Sequence, residues 1–416
     1  MSSEDEALEA FRQQLRPWLE ENCPASLRVL APGGAASPPT KQEQDQWLHA
    51  MGSRGYTTPT WPREYGGGGL SKAELQVLNE ELGRVGAYPP AVSFFGVAML
   101  GPVLLEFGNE EQKKEHLARI TKGEINWCQG YSEPGAGSDL AGLQTRAVRD
   151  GDHYIINGSK IWTTQANVSD WIFCLVRTDP DVPKHDGISF ILFDLKVPGV
   201  TISPIELISG SSDFCQVFFE DVKAEAKDLV GPLNGGWTIA KRLLEHERRS
   251  ISGAMGSGAG PLPIVPTDQA KAPKTKQAVE TRPTSLLAEN ARLRLGSDGE
   301  RLADPILRDR IAQHELDSLC FGLSMRRSGE EAKAGQGPGA AASMFKLYAS
   351  EMNKRKLELQ MSIMGVDGLG WSGEGFTPEE IADTRGWLRS KGNSIEGGTS
   401  EVQLNVIAKR VLGLPD

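Results

Sequence analysis

The stretch that decides the fold begins with WCQGYSEPGAGSDLAG at residues 127–142 and continues with GSKIWTT at residues 158–164. Short runs rich in Ile, Val, Phe and Tyr follow, separated by turn residues. The clearest runs are residues 153–158, 169–178, 187–195 and 214–222. No helical pattern of about 10–15 residues lies between them, which disfavours a parallel βαβ sheet. We therefore predict an antiparallel sheet or flattened barrel over residues 125–232.

Helical patterns flank this β-rich region on both sides. Apolar residues at spacings of three and four predict amphipathic helices. The predicted helices cover residues 5–22, 41–52, 71–84, 91–107, 110–121, 237–254, 285–294, 304–329, 340–364 and 400–412. The prediction is an α+β multidomain protein with an N-terminal helical domain (1–124), a middle β-domain (125–232) and a C-terminal helical bundle (233–416). Residues 256–284, rich in Gly, Pro, Lys and Thr, are predicted to form a mobile loop.

Composition excludes several classes of protein. The 416 residues contain 45 Lys plus Arg and 55 Asp plus Glu, a net charge of −10, which disfavours a nucleic-acid surface. No apolar run reaches about 18 residues, so no membrane span is expected. The acidic N-terminus does not resemble a signal peptide. The five cysteines are odd in number and scattered, which predicts neither a disulfide framework nor a metal site and favours a reducing cytoplasm.

Two motifs could bind a cofactor. In the first, Gly135 and Gly137 permit close backbone approach, and Ser132 and Ser138 supply hydroxyls. The glycine spacing does not match the GxGxxG pattern of dinucleotide-binding loops. The segment could therefore be either a phosphate-binding loop of another kind or an ordinary turn. In the second motif, Trp162 stands beside two threonines. An aromatic face with adjacent hydroxyls suits a flat heteroaromatic cofactor, although an isolated strand tryptophan is more often part of the core.

Two carboxylates could act as a base. Ile239, Leu243 and Glu247 lie four residues apart, which places Glu247 on the apolar stripe of a helix. Burial there would raise the carboxyl pKa towards the range of a general base, although an ion pair with a nearby arginine is an equal alternative. Glu396 precedes the Gly-Gly-Thr turn that opens the last helix, where Thr399 or Ser400 is an ordinary N-cap.

These motifs occur in the order and approximate spacing found in acyl-CoA dehydrogenases, and the chain resembles that flavoprotein family across nearly its whole length. The matching stretches are PTWPREYGGGGLS (59–71), YSEPGAGSDLAG (131–142), GSKIWTT (158–164), FEDVKAEAKDLVGPLNGGW (219–237) and GGTSEVQLNVIAKRVLGLP (397–415). The joint occurrence of SEPGAGSD and KIWTT is a much stronger signal than either motif alone.

The resemblance implies an FAD enzyme that converts an acyl-CoA to a trans-2-enoyl-CoA. The product forms by α-proton abstraction and β-hydride transfer to the flavin. The positions it implies for flavin contacts are Gln129, Tyr131, Ser132, Ser138, Trp162, Thr163, Thr164, Thr399 and Glu401. It places Ser138, Arg248 and Gly397 near the substrate, where the N–H of Glu396 or Gly397 would polarise the thioester carbonyl.

The family carries its base in one of two places. Most members have a Glu two residues before the Thr of the C-terminal turn, where this chain has Gly397. A minority use a Glu followed by Arg after the Gly-Gly-Trp turn, and Glu247-Arg248 matches that pattern. We therefore favour Glu247 over its rival, Glu396.

The chain departs from the family in the C-terminal bundle. The segment RLGSDGERLADPILRDRIAQ (294–313) lacks the usual Arg-x-x-Phe-Gly, and LELQMSIMGVDGLG (357–370) blurs the Gln-x-x-Gly-Gly motif. A homodimer or homotetramer and a heterotetramer with a related subunit therefore both remain open, with an electron-transfer flavoprotein as the expected acceptor. An acyl-CoA oxidase, and a non-catalytic or partner-dependent subunit, are the alternatives.

Overall fold

The computed structural model describes residues 3–28, 38–87, 89–90, 92–256, 286–299, 301–334 and 342–415, without the side chains of residues 247–256 and 332–333. This part of the chain forms two compact units. Unit 1 contains the chain up to Ser203 and Phe214–Glu247, and unit 2 contains Pro204–Asp213 and the described residues from Arg248 onward. The predicted mobile loop at 256–284 lies outside the described residues, apart from residue 256. The three-domain division stays a prediction.

Unit 1 begins with helices. They are α1 (Ser3–Asn22), α2 (Lys41–Ser53), α3 (Lys72–Val85), α4 (Gly101–Phe107), α5 (Glu110–Gln112) and α6 (Ala118–Thr121). A π-helical turn, Phe95–Leu100, leads into α4, and a second, Lys113–Leu117, joins α5 to α6. The N-caps of α2 and α3 are Thr40 and Ser71, each in a capping box that satisfies backbone N–H groups of the first turn.

One buried carboxylate joins α1 to α3. Glu81 on α3 is 1% exposed and accepts hydrogen bonds from Arg16 (2.8 Å), Arg12 (3.0 Å) and Arg84 (2.6 Å). The bonds from these arginines, that of Arg16 foremost, outweigh burial and lower the pKa of Glu81 to about 2. The carboxylate therefore stays ionised at any physiological pH.

The second half of unit 1 is a curled β-domain. Its strands are β1 (Trp127–Gly130), β2 (Arg146–Asp150), β3 (His153–Thr164), β4 (Trp171–Arg177), β5 (Ile188–Asp194), β6 (Val200–Ile205), β7 (Phe214–Glu225) and β8 (Leu229–Val230). The strand order is β6-β7-β3-β2-β4-β5-β8, with β1 beside β4. Phe193 of β5 packs edge-on against Phe219 of β7 at 5.3 Å, although three strands separate β5 from β7 in that order. The sheet therefore folds over onto itself, as the predicted flattened barrel requires.

Antiparallel pairing dominates this sheet, as predicted. The exceptions are β1, which runs parallel to β4 along its whole length, and a single parallel bridge between β2 and β4. One face of the sheet encloses its own core around Ile156, Cys174 and Val217, and the other packs with α4 and neighbouring helical residues such as Leu117.

Helices return after β8. They are α7 (Gly236–Gly256), α8 (Leu286–Leu295), α9 (Pro305–Lys333), α10 (Ala342–Met364), α11 (Pro378–Ser390) and α12 (Ser400–Val406), the last continued by a π-helical turn at Ile407–Val411. A two-stranded hairpin, β9 (Ser297–Asp298) and β10 (Arg301–Leu302), separates α8 from α9. The predicted order of helices, β-domain and helices is confirmed. None of the described helices has the length and apolarity needed to cross a membrane.

Substitution of Glu81 tests the join between α1 and α3. Glu81→Gln removes charge-assisted hydrogen bonds worth about 2 kcal/mol in total, so we expect a lower free energy of unfolding at pH 7. Because the native pKa is depressed, the contribution is present above the ordinary value of 4.5 and is lost as the pH falls towards about 2. Denaturant unfolding of both proteins across this range measures the difference.

Glu80→Gln is the matched control, because Glu80 is exposed and bonds to Arg12 and Gln76. We expect a change of less than about 1 kcal/mol for that variant. Equal effects of the two substitutions would contradict the role given to Glu81.

Candidate active site

A buried ion pair positions the SEPGAGSD turn. Lys160 of β3 is completely buried, and its Nζ donates to Glu133 Oε1 at 2.8 Å and to the Tyr131 carbonyl at 3.0 Å. The Glu133 carboxylate also accepts from the backbone N–H groups of Gln144 (2.6 Å) and Thr145 (2.9 Å). Burial raises the pKa of Glu133, but Lys160 and these hydrogen bonds more than offset it and hold the pKa below its usual value. The pair therefore links both ends of the turn to β3.

A β-bulge turns Trp162 outward from the same strand. Lys160 faces Val217 and Thr163 faces Cys215, so β3 has one more residue than β7 between these pairs. Trp162 has a φ of 60°, a strained conformation for a bulky side chain, and it is 54% exposed. The core alternative for Trp162 is therefore wrong. Strain of this kind concentrates at functional sites.

The glycines of the turn leave its surface open. A Cβ at Gly135 or Gly137 would meet nothing within 4 Å, so packing within the described protein does not demand glycine there. Arg177 holds the far end of the turn by donating to the carbonyls of Ala141 (2.7 Å) and Lys184 (2.7 Å). The turn is thus fixed from beneath while its glycines remain accessible to a ligand.

The residues of unit 1 that are predicted to contact a cofactor differ in how exposed they are at this surface. Trp162 and Ser138 are exposed, and Gln129, Ser132 and Thr164 are half-buried. The Ser132 carbonyl accepts from the Ile161 N–H at 2.9 Å, which brings the turn beside the bulge.

Two of the predicted contacts in unit 1 are buried. The Tyr131 ring packs edge-on against Phe173 at 6.1 Å. Thr163 is fully buried opposite Cys215, and its hydroxyl has no hydrogen-bond partner among the described residues. Both roles stay predictions.

The Gly-Gly-Thr turn in unit 2 is held by two side chains. Gly397 and Gly398 have φ values of 64° and 92°, which favour glycine. Lys346 donates to the Gly398 carbonyl at 2.7 Å, and Gln403 donates to the Gly397 carbonyl at 3.2 Å. Thr399 caps α12 by accepting from the Val402 N–H, and Glu401 is exposed in the first turn.

The rival base Glu396 is already paired. Its carboxylate accepts from Arg389 at 2.7 Å and from Asn393 at 2.6 Å. Its backbone N–H donates to the Gly392 carbonyl at 3.0 Å. The Gly397 N–H makes no hydrogen bond within the described part of the chain, which leaves it available as a donor.

The helix that carries Glu247 begins at a tight contact with the sheet. A Cβ at Gly236 would lie 2.4 Å from the Ser189 carbonyl carbon, so only glycine fits where α7 starts. Ile239 and Leu243 are buried, which confirms the apolar stripe up to that point. The helix continues through Glu247 and Arg248, but their side chains lie outside the described residues, and both assignments stay predictions.

Comparison with known proteins decides the family. Three family models match the chain: the acyl-CoA dehydrogenase N-terminal domain at residues 5–124, the middle domain at 128–222 and the C-terminal domain at 282–412. The chain belongs to the acyl-CoA dehydrogenase family. It is therefore an oxidoreductase acting on acyl-CoA.

Relatives and solved structures from this family match the chain along nearly its whole length. Acyl-CoA dehydrogenase IpdE1 of Mycobacterium tuberculosis is 36% identical over 416 residues, covering 98% of each chain. The structure titled Tcur3481-Tcur3483 steroid ACAD is 30% identical, with a TM-score of 0.68 and 98% of each chain covered. The ChsE4-ChsE5 complex from Mycobacterium tuberculosis is 27% identical, with a TM-score of 0.67, covering 99% of this chain and 98% of that one.

Members of the family are FAD-dependent flavoproteins, and the surface in unit 1 fits this cofactor. An exposed indole on a strained bulge offers a stacking face, and the open glycine turn beside it offers backbone and serine hydroxyl groups. The unpartnered Thr163 hydroxyl is costly to leave unbonded, and a ligand hydrogen bond would remove that cost. Trp162, Thr163, Thr164, Ser132 and Ser138 would hold the flavin on this side.

Three supporting residues, Lys160, Glu133 and Lys346, were not predicted from the sequence. Lys160 and Glu133 stand inside the quoted motifs, and a lysine in a β-strand with a carboxylate in the preceding turn is a signal that could have predicted their pairing. Lys346 lies far in sequence from the turn that it supports, and no local pattern indicates this contact.

A double-mutant cycle tests the Lys160–Glu133 pair. Glu133→Gln or Lys160→Met alone leaves a buried charge without its partner, and we expect each to lower the free energy of unfolding by about 3–5 kcal/mol. The double variant should be less destabilised than the sum, with a coupling energy of about 2 kcal/mol. Flavin content per chain, read from visible absorbance, should fall in all three variants.

Lys184→Met provides the control, because it breaks the exposed Lys184–Asp139 pair (2.7 Å) in the same region. That substitution should change stability by less than about 0.5 kcal/mol and leave the flavin content unchanged. Strictly additive effects of the two buried substitutions would show that the pair does not hold the turn.

Proposed function

We propose that this acyl-CoA dehydrogenase catalyses α,β-dehydrogenation of an acyl-CoA thioester to the trans-2-enoyl-CoA. The observation that carries the proposal is the outward Trp162 bulge, which lies next to the SEPGAGSD turn on a strand that a buried ion pair joins to that turn. A bound flavin supplies the acceptor for the hydride that leaves the β-carbon. The protein must then orient the acyl chain, remove the α-proton and stabilise the enolate-like charge on the thioester.

Glu247 is proposed as the base that removes the α-proton. It continues the row of Ile239 and Leu243, which are 1% and 0% exposed. A general base must first lie within reach of the proton that it removes, and both the helical spacing and the Glu-Arg pair after the Gly-Gly-Trp turn favour this position. Glu396 is less suited, because its two carboxylate oxygens already accept hydrogen bonds from Arg389 at 2.7 Å and from Asn393 at 2.6 Å.

Gly397 is proposed as the backbone donor to the thioester carbonyl. The two candidates were the N–H groups of Glu396 and Gly397, and the first already donates to Gly392. The second is exposed on a turn whose carbonyls Lys346 and Gln403 hold in place. A donor fixed before the reaction lowers the barrier without reorganisation during it. Arg248 and Ser138 are proposed as substrate contacts, and Thr399 and Glu401 as flavin contacts.

The proposed substrate is a bulky, steroid-derived acyl-CoA, and the proposed assembly is a heterotetramer with a related subunit. One similar structure is titled Tcur3481-Tcur3483 steroid ACAD, and another is titled the ChsE4-ChsE5 complex. In this chain a small hairpin, Ser297–Asp298 with Arg301–Leu302, stands where the family's Arg-x-x-Phe-Gly is missing. A second subunit type would supply the flavin contacts that this segment no longer carries.

The proposed acceptor is an electron-transfer flavoprotein, and the proposed location is the cytoplasm. All five cysteines lie in the described part of the chain without a disulfide, and four of them are buried. This arrangement suits a reducing compartment.

Anaerobic bleaching of the flavin absorbance tests the activity and the substrate class together. The chain is purified alone and after co-expression with a related acyl-CoA dehydrogenase chain from its source genome. It is then mixed with straight-chain, branched, dicarboxylic and steroid-derived acyl-CoAs. We expect flavin in the co-expressed complex and bleaching by the steroid-derived thioester.

Each of the other outcomes would favour a different substrate class or function. Bleaching only by straight-chain thioesters would overturn the substrate class and keep the activity. A complex whose flavin no thioester bleaches would favour the partner-dependent or non-catalytic subunit. Rapid reoxidation of the reduced flavin by oxygen would indicate an oxidase.

Glu247→Gln should retain flavin and lose turnover by about 10²–10⁴-fold, because the amide cannot accept the α-proton. Glu396→Gln, the matched control, should keep turnover within about tenfold of the unmodified enzyme. Steady-state turnover with an artificial electron acceptor measures both variants. The reverse ranking would transfer the role of base to Glu396.

A further inference from the structure

A buried cluster of side chains that can bind a metal lies outside the candidate active site. It forms where the π-helical turn Lys113–Leu117 meets the turn that follows β7. Glu115, His116 and Asp228 each offer one ligand atom, and these atoms lie within 4.8 Å of one another. His116 is 0% exposed and Asp228 is 3% exposed. Single π-helical turns are rare and are frequently found at functional sites.

Three buried polar atoms of this cluster lack hydrogen-bond partners among the described residues. The three atoms are the two ring nitrogens of His116 and the Oδ1 atom of Asp228. All three are buried, and none has a hydrogen-bond partner in the described part of the chain. The distance from His116 Nε2 to Asp228 Oδ1 is 4.0 Å, which is too long for a hydrogen bond. Buried polar atoms are nearly always satisfied, so these three point to a missing ligand.

Two indole rings flank the His116 imidazole. The rings of Trp127 and Trp171 stand edge-on to His116 at 5.2 and 5.1 Å, and the Trp127 indole N–H is itself unpartnered among the described residues. These rings exclude water from two sides of the cluster. An ion that reached the site would therefore bind in a low-dielectric environment, where charge interactions are strong.

The two elements that supply the ligands are fixed relative to each other. Gln112 donates to the carbonyls of Lys227 (2.7 Å) and Leu229 (2.9 Å), on either side of Asp228. The site is therefore preorganised in its backbone. Closure around an ion would then depend mainly on the side chains of the three ligands.

One cation already stands near the cluster. Lys227 Nζ lies 3.4 Å from Glu115 Oε2, 3.2 Å from Glu225 and 3.8 Å from Glu111. The lysine side chain is 40% exposed and the Glu115 side chain 34% exposed, so both can move. If Glu115 turned inward, Lys227 would keep its two other carboxylate partners.

We propose that Glu115, His116 and Asp228 bind one divalent transition-metal ion of the Zn²⁺ class. One imidazole and two carboxylates form a mixed donor set that suits such ions, whereas Mg²⁺ and Ca²⁺ prefer oxygen ligands alone. Zinc bonds of about 2.0–2.2 Å place tetrahedral ligand atoms roughly 3.4 Å apart. The separation of His116 and Asp228, 4.0 Å, would have to shorten by about 0.6 Å, and the other separations, which are within 4.8 Å, by up to about 1.4 Å. Rotation of the partly exposed Glu115 would supply the larger change, small rotations of the His116 and Asp228 side chains the smaller one, and water would complete the coordination.

The proposed ion would join the N-terminal helices to the β-domain within unit 1. It has no part in the reaction proposed for the flavin site. Its presence is therefore testable whether or not the proposed activity is correct.

Metal titration of the untagged, full-length protein tests the proposal. After dialysis against a chelator, Zn²⁺ alone is added and binding is followed by calorimetry and by elemental analysis of the dialysed complex. We expect about one equivalent of Zn²⁺ per chain, a higher thermal midpoint in its presence, and much weaker binding of Mg²⁺. No bound Zn²⁺, or equal binding of Mg²⁺, would overturn the proposal.

Matched variants locate the binding. Asp228→Asn, His116→Gln and Glu115→Gln should each weaken Zn²⁺ binding by about tenfold or more, since even residues behind metal ligands change affinity by about 10–100-fold. Glu115→Gln keeps the proposal testable if the two buried variants misfold, because Glu115 is partly exposed. Lys227→Met should tighten binding by removing the competing cation.

His314→Gln is the control for loss of a buried histidine. His314 in α9 is 8% exposed, its Nδ1 is unpartnered in the described residues, and it belongs to no metal-type cluster there. We expect unchanged Zn²⁺ binding in this variant. Binding that falls equally in His314→Gln and His116→Gln, or in none of the cluster variants, would show that the ion binds elsewhere.

Discussion

The buried contact between Lys160 and Glu133 is the constraint on which the unit 1 surface depends. An ammonium group without solvent is tolerated only when oxygen atoms replace its hydration, and here a carboxylate and the Tyr131 carbonyl do so at 2.8 and 3.0 Å. The same carboxylate accepts two backbone N–H groups from the end of the turn. One charged pair therefore sets the path of a glycine-rich segment that has little packing of its own.

The unit 2 turn follows a related principle with a different charge balance. Lys346 donates to two backbone carbonyls, and burial lowers the pKa of its ammonium group. No carboxylate of the described residues lies at hydrogen-bond distance from Lys346. Its hydrogen bonds to the carbonyls must therefore offset the cost of removing the ammonium group from water. In both units, a lysine that has no role in the proposed reaction supports the backbone of a turn that is proposed to bind the flavin or the substrate.

Periodicity in the sequence predicted all of the longer helices except α11, the four strands β3, β4, β5 and β7, and the outline of the barrel, because alternating burial leaves a clear pattern. The short strands β1, β2, β6 and β8 were not predicted. Periodicity could not predict the pairing of β1 with β4, which depends on where the chain enters from the helices. The sequence did not show whether the Trp162 side chain points into the core or outward. Its direction depends on the register between β3 and β7, and the sequence of one strand does not determine a register. The His116–Asp228 cluster was missed for the same reason, since its ligands come from distant segments. Glu247 rests on helical spacing and on the family resemblance.

The bulge at Trp162 has a consequence for how this site can change during evolution. In a regular strand, residues two apart share a face, so Lys160 and Trp162 would both point inward. The single extra residue reverses the alternation, which leaves Lys160 and Thr163 buried and Trp162 exposed. Which face each side chain occupies is thus set by the parity of a residue count. The segment can accept exchanges of side chains far more readily than the gain or loss of one position, because a change of length would bury the indole and expel the threonine.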